Sequence, residues 1–171
     1  MSKTNIILTG FMGTGKTTVG IRLAEKLGWT FVDTDALIEQ QAGQTIAELF
    51  ATQGEKAFRQ KETELAEKLS MKKNLVIATG GGLILNPTNV AILKQTGHIF
   101  CLTAPPTEIL ERVKRQKHIR PLLQDTDPLK KITDLLQQRD YIYQLFSQIP
   151  TTGLTPDELA EKILDKLKLM E

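Results

Sequence analysis

Eight residues near the start of the chain, Gly10-Phe11-Met12-Gly13-Thr14-Gly15-Lys16-Thr17, constrain its fold more than any other feature. They fit G-x-x-x-x-G-K-[ST], directly behind the apolar run Asn5–Thr9 (NIILT) and ahead of the amphipathic stretch Thr17–Leu27. Glycines let the backbone wrap a phosphate chain with its N–H groups turned inward. The following helix N-terminus adds partial positive charge for the anion. In this setting Lys16 reaches the β- and γ-phosphates and the Thr17 hydroxyl ligates Mg²⁺. At average composition the pattern arises by chance in about one of two hundred chains of this length, and the strand–loop–helix setting makes it rarer. A glycine-rich turn carrying a surface lysine is the weaker reading. The chain is expected to bind a nucleoside triphosphate or its diphosphate product.

The rest of the sequence continues the alternation that the loop begins. Phe31–Asp33, Leu75–Thr79, His98–Thr103 and Gln148–Thr151 are short and mostly apolar, as strands buried on both faces are. Between them lie helical patterns: Thr17–Leu27, stopped by Gly28, then Glu55–Leu69 and Pro128–Phe146. A last helix starts at Thr155 as N-cap, with Pro156 first and Glu158 three residues after the cap. Strand and helix in alternation predict an α/β fold, a parallel sheet with helices on both faces. Ligands then sit beyond the carboxyl ends of the strands.

Composition narrows the class of partner. The 171 residues suit one domain, and 22 Lys+Arg against 20 Asp+Glu leave a net charge of +2. Such balance argues against nucleic acid or a membrane as partner. No apolar run approaches the length of a membrane span, and the N-terminus lacks the apolar stretch of a secretion signal. The single Cys101 excludes a disulfide framework. These features lead to the expectation of a cytoplasmic protein that works as a monomer on small molecules.

Candidate chemistry follows the strands. In Asp33-Thr34-Asp35, Asp33 stands where a carboxylate can hold a water of the Mg²⁺ shell. Asp35 can accept a hydrogen bond from a hydroxyl nucleophile and take its proton as phosphate transfers. Alternatively, one of the pair, Asp35 in particular, caps the helix starting near Ala36. Arg59, in Gly54–Arg59, is by itself an ordinary solvated arginine. Gly80-Gly81-Gly82 exposes backbone N–H groups that suit a carboxylate or hydroxyl, or else makes a strained turn. Arg112 to Arg120 holds five Arg or Lys among nine residues and runs into Pro121. With no aromatic interleaved, it reads better as a basic segment closing over phosphates than as a nucleic-acid patch. Arg120 would then stabilise charge on the transferring phosphoryl group.

Together GFMGTGKTT (10–18), FVDTD (31–35), GEKAFR (54–59), ATGGG (78–82), RPLL (120–123) and the Arg139…Tyr143 helix resemble the shikimate kinases. The resemblance runs through nearly the whole chain, and the order and spacing of the motifs carry it. It implies a nucleoside-monophosphate-kinase-like, P-loop kinase fold: a three-layer α/β/α sandwich around a five-stranded parallel sheet. Residues 1–171 would form a single kinase domain, with a substrate region at about 35–60 and a lid at about 112–125. The implied reaction moves the γ-phosphate of ATP to the 3-hydroxyl of shikimate, on the route to chorismate and the aromatic amino acids. Met12, Gly13, Thr14, Gly15, Lys16 and Thr17 would hold ATP, with Arg112 or Arg115 near the adenine and Arg120 reaching in from the lid. Thr17 and Asp33 would serve the Mg²⁺ site. Asp35, Arg59, Gly80, Gly81, Gly82 and Arg139 would bind shikimate, and Lys16, Asp35 and Arg120 would carry catalysis. Tyr141 stands where the family often has proline.

Two other functions remain to be weighed. A related small-molecule kinase, such as a gluconate kinase, fits the loop, but the paired arginines and glycine triplet suit a cyclic hydroxy acid. A nucleotide-binding regulator would not need Lys16, Thr17, Asp33, Asp35 and Arg120 together. Cys101 is expected in the core, His98 and His118 have no spaced metal partner, and Trp29 should pack at a helix–strand junction. Met12 and Thr14 are expected to act through their backbone more than their side chains.

Overall fold

The computed structural model describes residues 4–116, 124 and 126–170. Five parallel strands, β1 (Asn5–Thr9), β2 (Thr30–Asp33), β3 (Leu75–Ala78), β4 (Gly97–Thr103) and β5 (Ser147–Pro150), form one sheet in the order β2-β3-β1-β4-β5. Every strand is followed by helix: α1 (Lys16–Leu27) after β1, and α2 (Thr34–Ala42) with α3 (Ile46–Ser70) after β2. A 3₁₀ turn (Leu83–Leu85) and α4 (Pro87–Thr96) follow β3, α5 (Pro106–Lys114) and α6 (Pro128–Tyr143) follow β4, and α7 (Pro156–Lys168) follows β5.

Side-chain alternation along the strands divides the core into two layers. Ile6 and Leu8 of β1 face α1 and α7 and pack with Val19, Leu23, Leu159 and Ile163. Ile7 faces the opposite side and joins Leu65 and Leu69 of α3, Leu93 of α4, Ile109 of α5 and Ile132 of α6. The three-layer α/β/α arrangement is therefore present. Cys101 is fully buried in this second layer, and Trp29 packs against the first where α1 passes into β2.

Helix ends follow local chemistry. Gly28 stops α1 in the left-handed region, at φ 66°. Thr155 and Glu158 form the expected capping box on α7, and Thr45 with Glu48 forms another on α3. α3 starts at Ile46 rather than near Glu55, because Gly54 (φ 82°) only kinks it. α6 passes unbroken through Tyr141 to Tyr143, which keeps Arg139 and Tyr143 one turn apart on one face. α4 and α5 are unanticipated by the apolar patterns, and β2 and β5 each begin one residue early. Among the described residues no helix is long and apolar enough to cross a membrane.

Candidate active site

The loop behind β1 has the backbone its glycines allow: Gly10, Gly13 and Gly15 take φ of 134°, 75° and 96°. Lys16 Nζ donates to the carbonyls of Gly10 (2.8 Å) and Phe11 (3.0 Å), lying along the loop. The Thr14 side chain also has a part in the loop. It is buried, and its hydroxyl donates to the Phe11 carbonyl at 2.7 Å, closing the loop on itself.

Arg112 lies on α5 and is bonded on three sides. It donates to the Gly13 carbonyl (3.2 Å) and to Thr151 Oγ1 (3.0 Å), and pairs with Glu108 one turn earlier. Thr152 also donates to Glu108, at 2.6 Å. These bonds stitch the phosphate loop to the turn after β5. The basic segment expected to close over phosphates thus begins inside a helix, and its first arginine is already fixed to the loop. Arg120, and the stretch 117–123 with it, lies outside the described residues.

The two carboxylates behind β2 divide their work. Asp33, not Asp35, is the N-cap of α2: its backbone is extended, and Oδ1 accepts from Ala36 N at 3.1 Å. The helix therefore begins at Thr34, two residues sooner than expected. The other oxygen, Oδ2, accepts from the Thr17 hydroxyl at 3.4 Å. Two exposed hard oxygen donors side by side at the loop fit Mg²⁺, which prefers oxygen and keeps several of its waters.

With Asp33 as cap, Asp35 is released toward the glycine triplet. A Cβ on Gly80 would overlap the Asp35 carboxylate, one on Gly82 would overlap the Arg59 guanidinium, and one on Gly81 would lie 3.1 Å from Arg139 Nη1. Three glycines thus leave room for three polar groups. Among the described residues Asp35 Oδ1 has no hydrogen-bond partner, though it is buried. Burial, followed by the neighbouring Asp33 charge, pushes the Asp35 carboxyl up to about 6, while Lys16 and Arg59 pull against them.

Each arginine is held from behind. Arg59 Nη1 donates to Glu62 at 2.8 Å, Nη2 donates to Glu55 at 3.3 Å, and the guanidinium lies 5.4 Å over the Phe58 ring. Glu62 is 1% exposed, so its charge depends on that pair. Arg139 lies 5.4 Å over the Phe11 ring. Beside it Tyr143 is buried, which raises its phenol, with Arg139 pulling the other way.

A cavity of about 490 Å³ brings most of these groups together. Its wall includes Met12, Gly13, Gly15, Lys16, Thr17, Asp33, Asp35, Gly80, Gly81, Arg112 and Arg139. Thr14, Gly82 and Arg59 lie outside that lining, the last two against each other. Sequence reading missed Glu62, three residues after Arg59, and the rings of Phe11 and Phe58. It also missed Thr34, whose hydroxyl accepts from Gly80 N. Glu62 alone offered a signal, an acid at i+3 from the arginine. Among the described residues no cluster of three or more His, Cys, Asp or Glu could hold a metal.

A phosphate loop, a pair of oxygen donors that fits Mg²⁺, and an acid and two arginines along one glycine triplet describe a kinase for a small anionic alcohol. The shikimate kinase family model matches residues 12–168. The chain is 47% identical to a shikimate kinase of Pelotomaculum thermopropionicum over 165 residues, covering 96% of this chain and 95% of the relative. It is 49% identical to one of Thermodesulfovibrio yellowstonii over 161 residues, covering 94% and 92%. Its fold matches a solved shikimate kinase from Acinetobacter baumannii in complex with shikimate, with TM-score 0.89 and 43% identity, over 99% of this chain and 95% of that one.

Proposed function

The chain belongs to the shikimate kinase family, and we propose that its gathered residues divide the transfer of the ATP γ-phosphate to the shikimate 3-hydroxyl as follows. The observation that carries this division is the convergence of Asp35, Arg59 and Arg139 on Gly80–Gly82, beside the phosphate loop. Shikimate has one carboxylate and three hydroxyls. Arg59 and Arg139 fork onto the carboxylate, a geometry lysine cannot reproduce. Asp35, whose Oδ1 has no partner among the described residues, accepts from the attacking hydroxyl and holds its proton as the oxygen reaches phosphorus.

The inward N–H groups of Met12–Thr17 and the Lys16 ammonium hold the phosphates of ATP. Thr17 and Asp33 hold Mg²⁺, which when bound neutralises charge on the β- and γ-phosphate oxygens. Arg112 fixes the loop and borders the nucleotide, and Arg120 reaches ATP from the lid, where closure excludes water. The same reading makes residues 1–171 a single domain, active in the cytoplasm as a monomer. Sedimentation of the purified enzyme checks the last point.

The deciding experiment measures ADP release from Mg·ATP with shikimate, gluconate or quinate as acceptor. Strong stimulation by shikimate alone supports the assignment. Stimulation by another acceptor keeps the kinase and discards the acceptor pocket. Confirmed ATP binding without turnover on any of them favours a nucleotide-binding module.

A further inference from the structure

Thr34 stands between two carboxylates that have work and has been given none. Its side chain is buried, at 1% exposure, and its Oγ1 accepts a hydrogen bond from Gly80 N–H at 2.8 Å. The bond spans a place where the sheet can no longer help. Pairing between β2 and β3 ends at Asp33 opposite Ala78. Beyond it one chain turns into α2, whose carbonyls point along the helix and serve the helix's own N–H groups. Gly80 N–H is left without a ladder acceptor, and the Thr34 hydroxyl takes that place.

Position matters here because Gly80 has no room to shift towards Asp35. Its α-carbon faces the Asp35 carboxylate so closely that a Cβ would overlap it. One turn of chain therefore sets three things: Asp33 on Thr17, Thr34 on Gly80, and Asp35 facing the triplet. We propose that Thr34 is a positioning residue of the acceptor side, its hydroxyl fixing Gly80 and so the spacing between the glycine triplet and Asp35. The inference rests on reading the triplet and Asp35 as the shikimate site. Without the hydroxyl, a buried N–H must go unpaired or the segment must shift to find water. The residues assigned to ATP, Met12–Thr17 with Arg112 and Arg120, do not include the triplet.

The test compares Thr34→Val, which keeps shape and loses the acceptor, with Thr34→Ser, which keeps the acceptor and loses a methyl. In the full-length enzyme Thr34→Val should raise KM for shikimate about tenfold, from the loss of one buried hydrogen bond, and leave KM for ATP within about twofold. Thr34→Ser should restore shikimate KM to within about threefold of wild type. An unchanged shikimate KM in Thr34→Val overturns the proposal. So does an equal rise in both KM values, or a serine variant as impaired as the valine.

If the valine variant does not fold, the wild-type Gly80 amide decides by NMR. A hydrogen-bonded amide shows a small temperature coefficient and slow exchange in the absence of ligands. An amide whose shift moves with temperature like that of a solvated one overturns the proposal. Failure of wild-type enzyme to phosphorylate shikimate would instead remove the underlying reading, while the amide measurement would still report the bond.

Discussion

A methyl group on Gly80 would take the space of the Asp35 carboxylate. Gly82 stands in the same relation to the Arg59 guanidinium, and Gly81, less tightly, to Arg139. The triplet therefore acts as a template whose missing side chains make room for one acid and two bases. Backbone atoms are the least mobile parts of a site, so the polar groups packed against them gain fixed positions without long supporting networks.

Gly80→Ala tests one of the two tightest of these approaches. The new methyl must displace Asp35 or the loop itself, and a shift of about 1 Å at a reacting group costs on the order of 100-fold in rate. We expect kcat/KM for shikimate to fall by about that factor, with nucleotide affinity kept. Gly81→Ala should lose only a few-fold, because its neighbour is the end of a flexible arginine. Steady-state kinetics with titration calorimetry for ADP checks both, and equal losses in the two variants would contradict the template.

Asp35 carries a cost in stability that a variant can reveal. Its carboxyl lies at about 6, above the ordinary 3.8, chiefly through burial. Between those values the folded state holds a proton that the unfolded chain has released, so stability falls as pH rises from about 4 through 6. Asp35→Asn removes the ionisation and should be more stable than wild type at pH 8 by about 1–3 kcal/mol. The gap should close towards pH 4. It should also lose acceptor phosphorylation, and the wild-type rate should climb through pH 6 as the carboxylate forms. Denaturant melts of both proteins at pH 8, 6 and 4 measure the gap; a constant difference would remove the burial argument.

The parts of the site legible in the sequence were those fixed by short-range rules. Gly10–Thr17 specifies its own conformation, and strands β1 and β4 are apolar enough to declare themselves. The capping role of Asp33 was not legible, because capping depends on where the helix starts and either aspartate could have served. The bond from the Thr14 hydroxyl to the Phe11 carbonyl was not legible either, because it depends on how the loop closes. α4 lacks a clean apolar stripe in its few turns, and α5 carries only a narrow one, Ile109 and Val113, in nine residues; the packing of both comes from tertiary neighbours. Glu62 and Thr34 were harder to find because each acts on another residue of the protein, Glu62 on Arg59 and Thr34 on the Gly80 backbone.

Arg139→Lys asks whether the arginine binds substrate or merely packs. The guanidinium lies over Phe11 and beside Gly81, and a lysine can keep the charge but neither the planar stacking nor the fork. Losing one charge-assisted bond should raise KM for shikimate about 10- to 100-fold, with KM for ATP unchanged. Equal effects on both substrates would make Arg139 a structural residue.

Two acids hold Arg59, and their burial predicts unequal worth. The Glu62 side chain is 2% exposed and that of Glu55 is 67% exposed. An exposed ion pair competes with water and salt and contributes little, so Glu55→Gln should change KM for shikimate by less than about twofold. The Glu62 carboxylate is shielded from water; burial raises its carboxyl while Arg59 opposes the rise. Glu62→Gln keeps the shape but replaces a charged bond with a neutral one, loosening the arginine that must meet the substrate carboxylate. A rise of about tenfold in KM for shikimate, with kcat much less affected, is the expected result. Added salt should weaken shikimate binding in the wild type and in Glu55→Gln alike. If the two variants behaved the same, Arg59 would be held by something other than its buried partner.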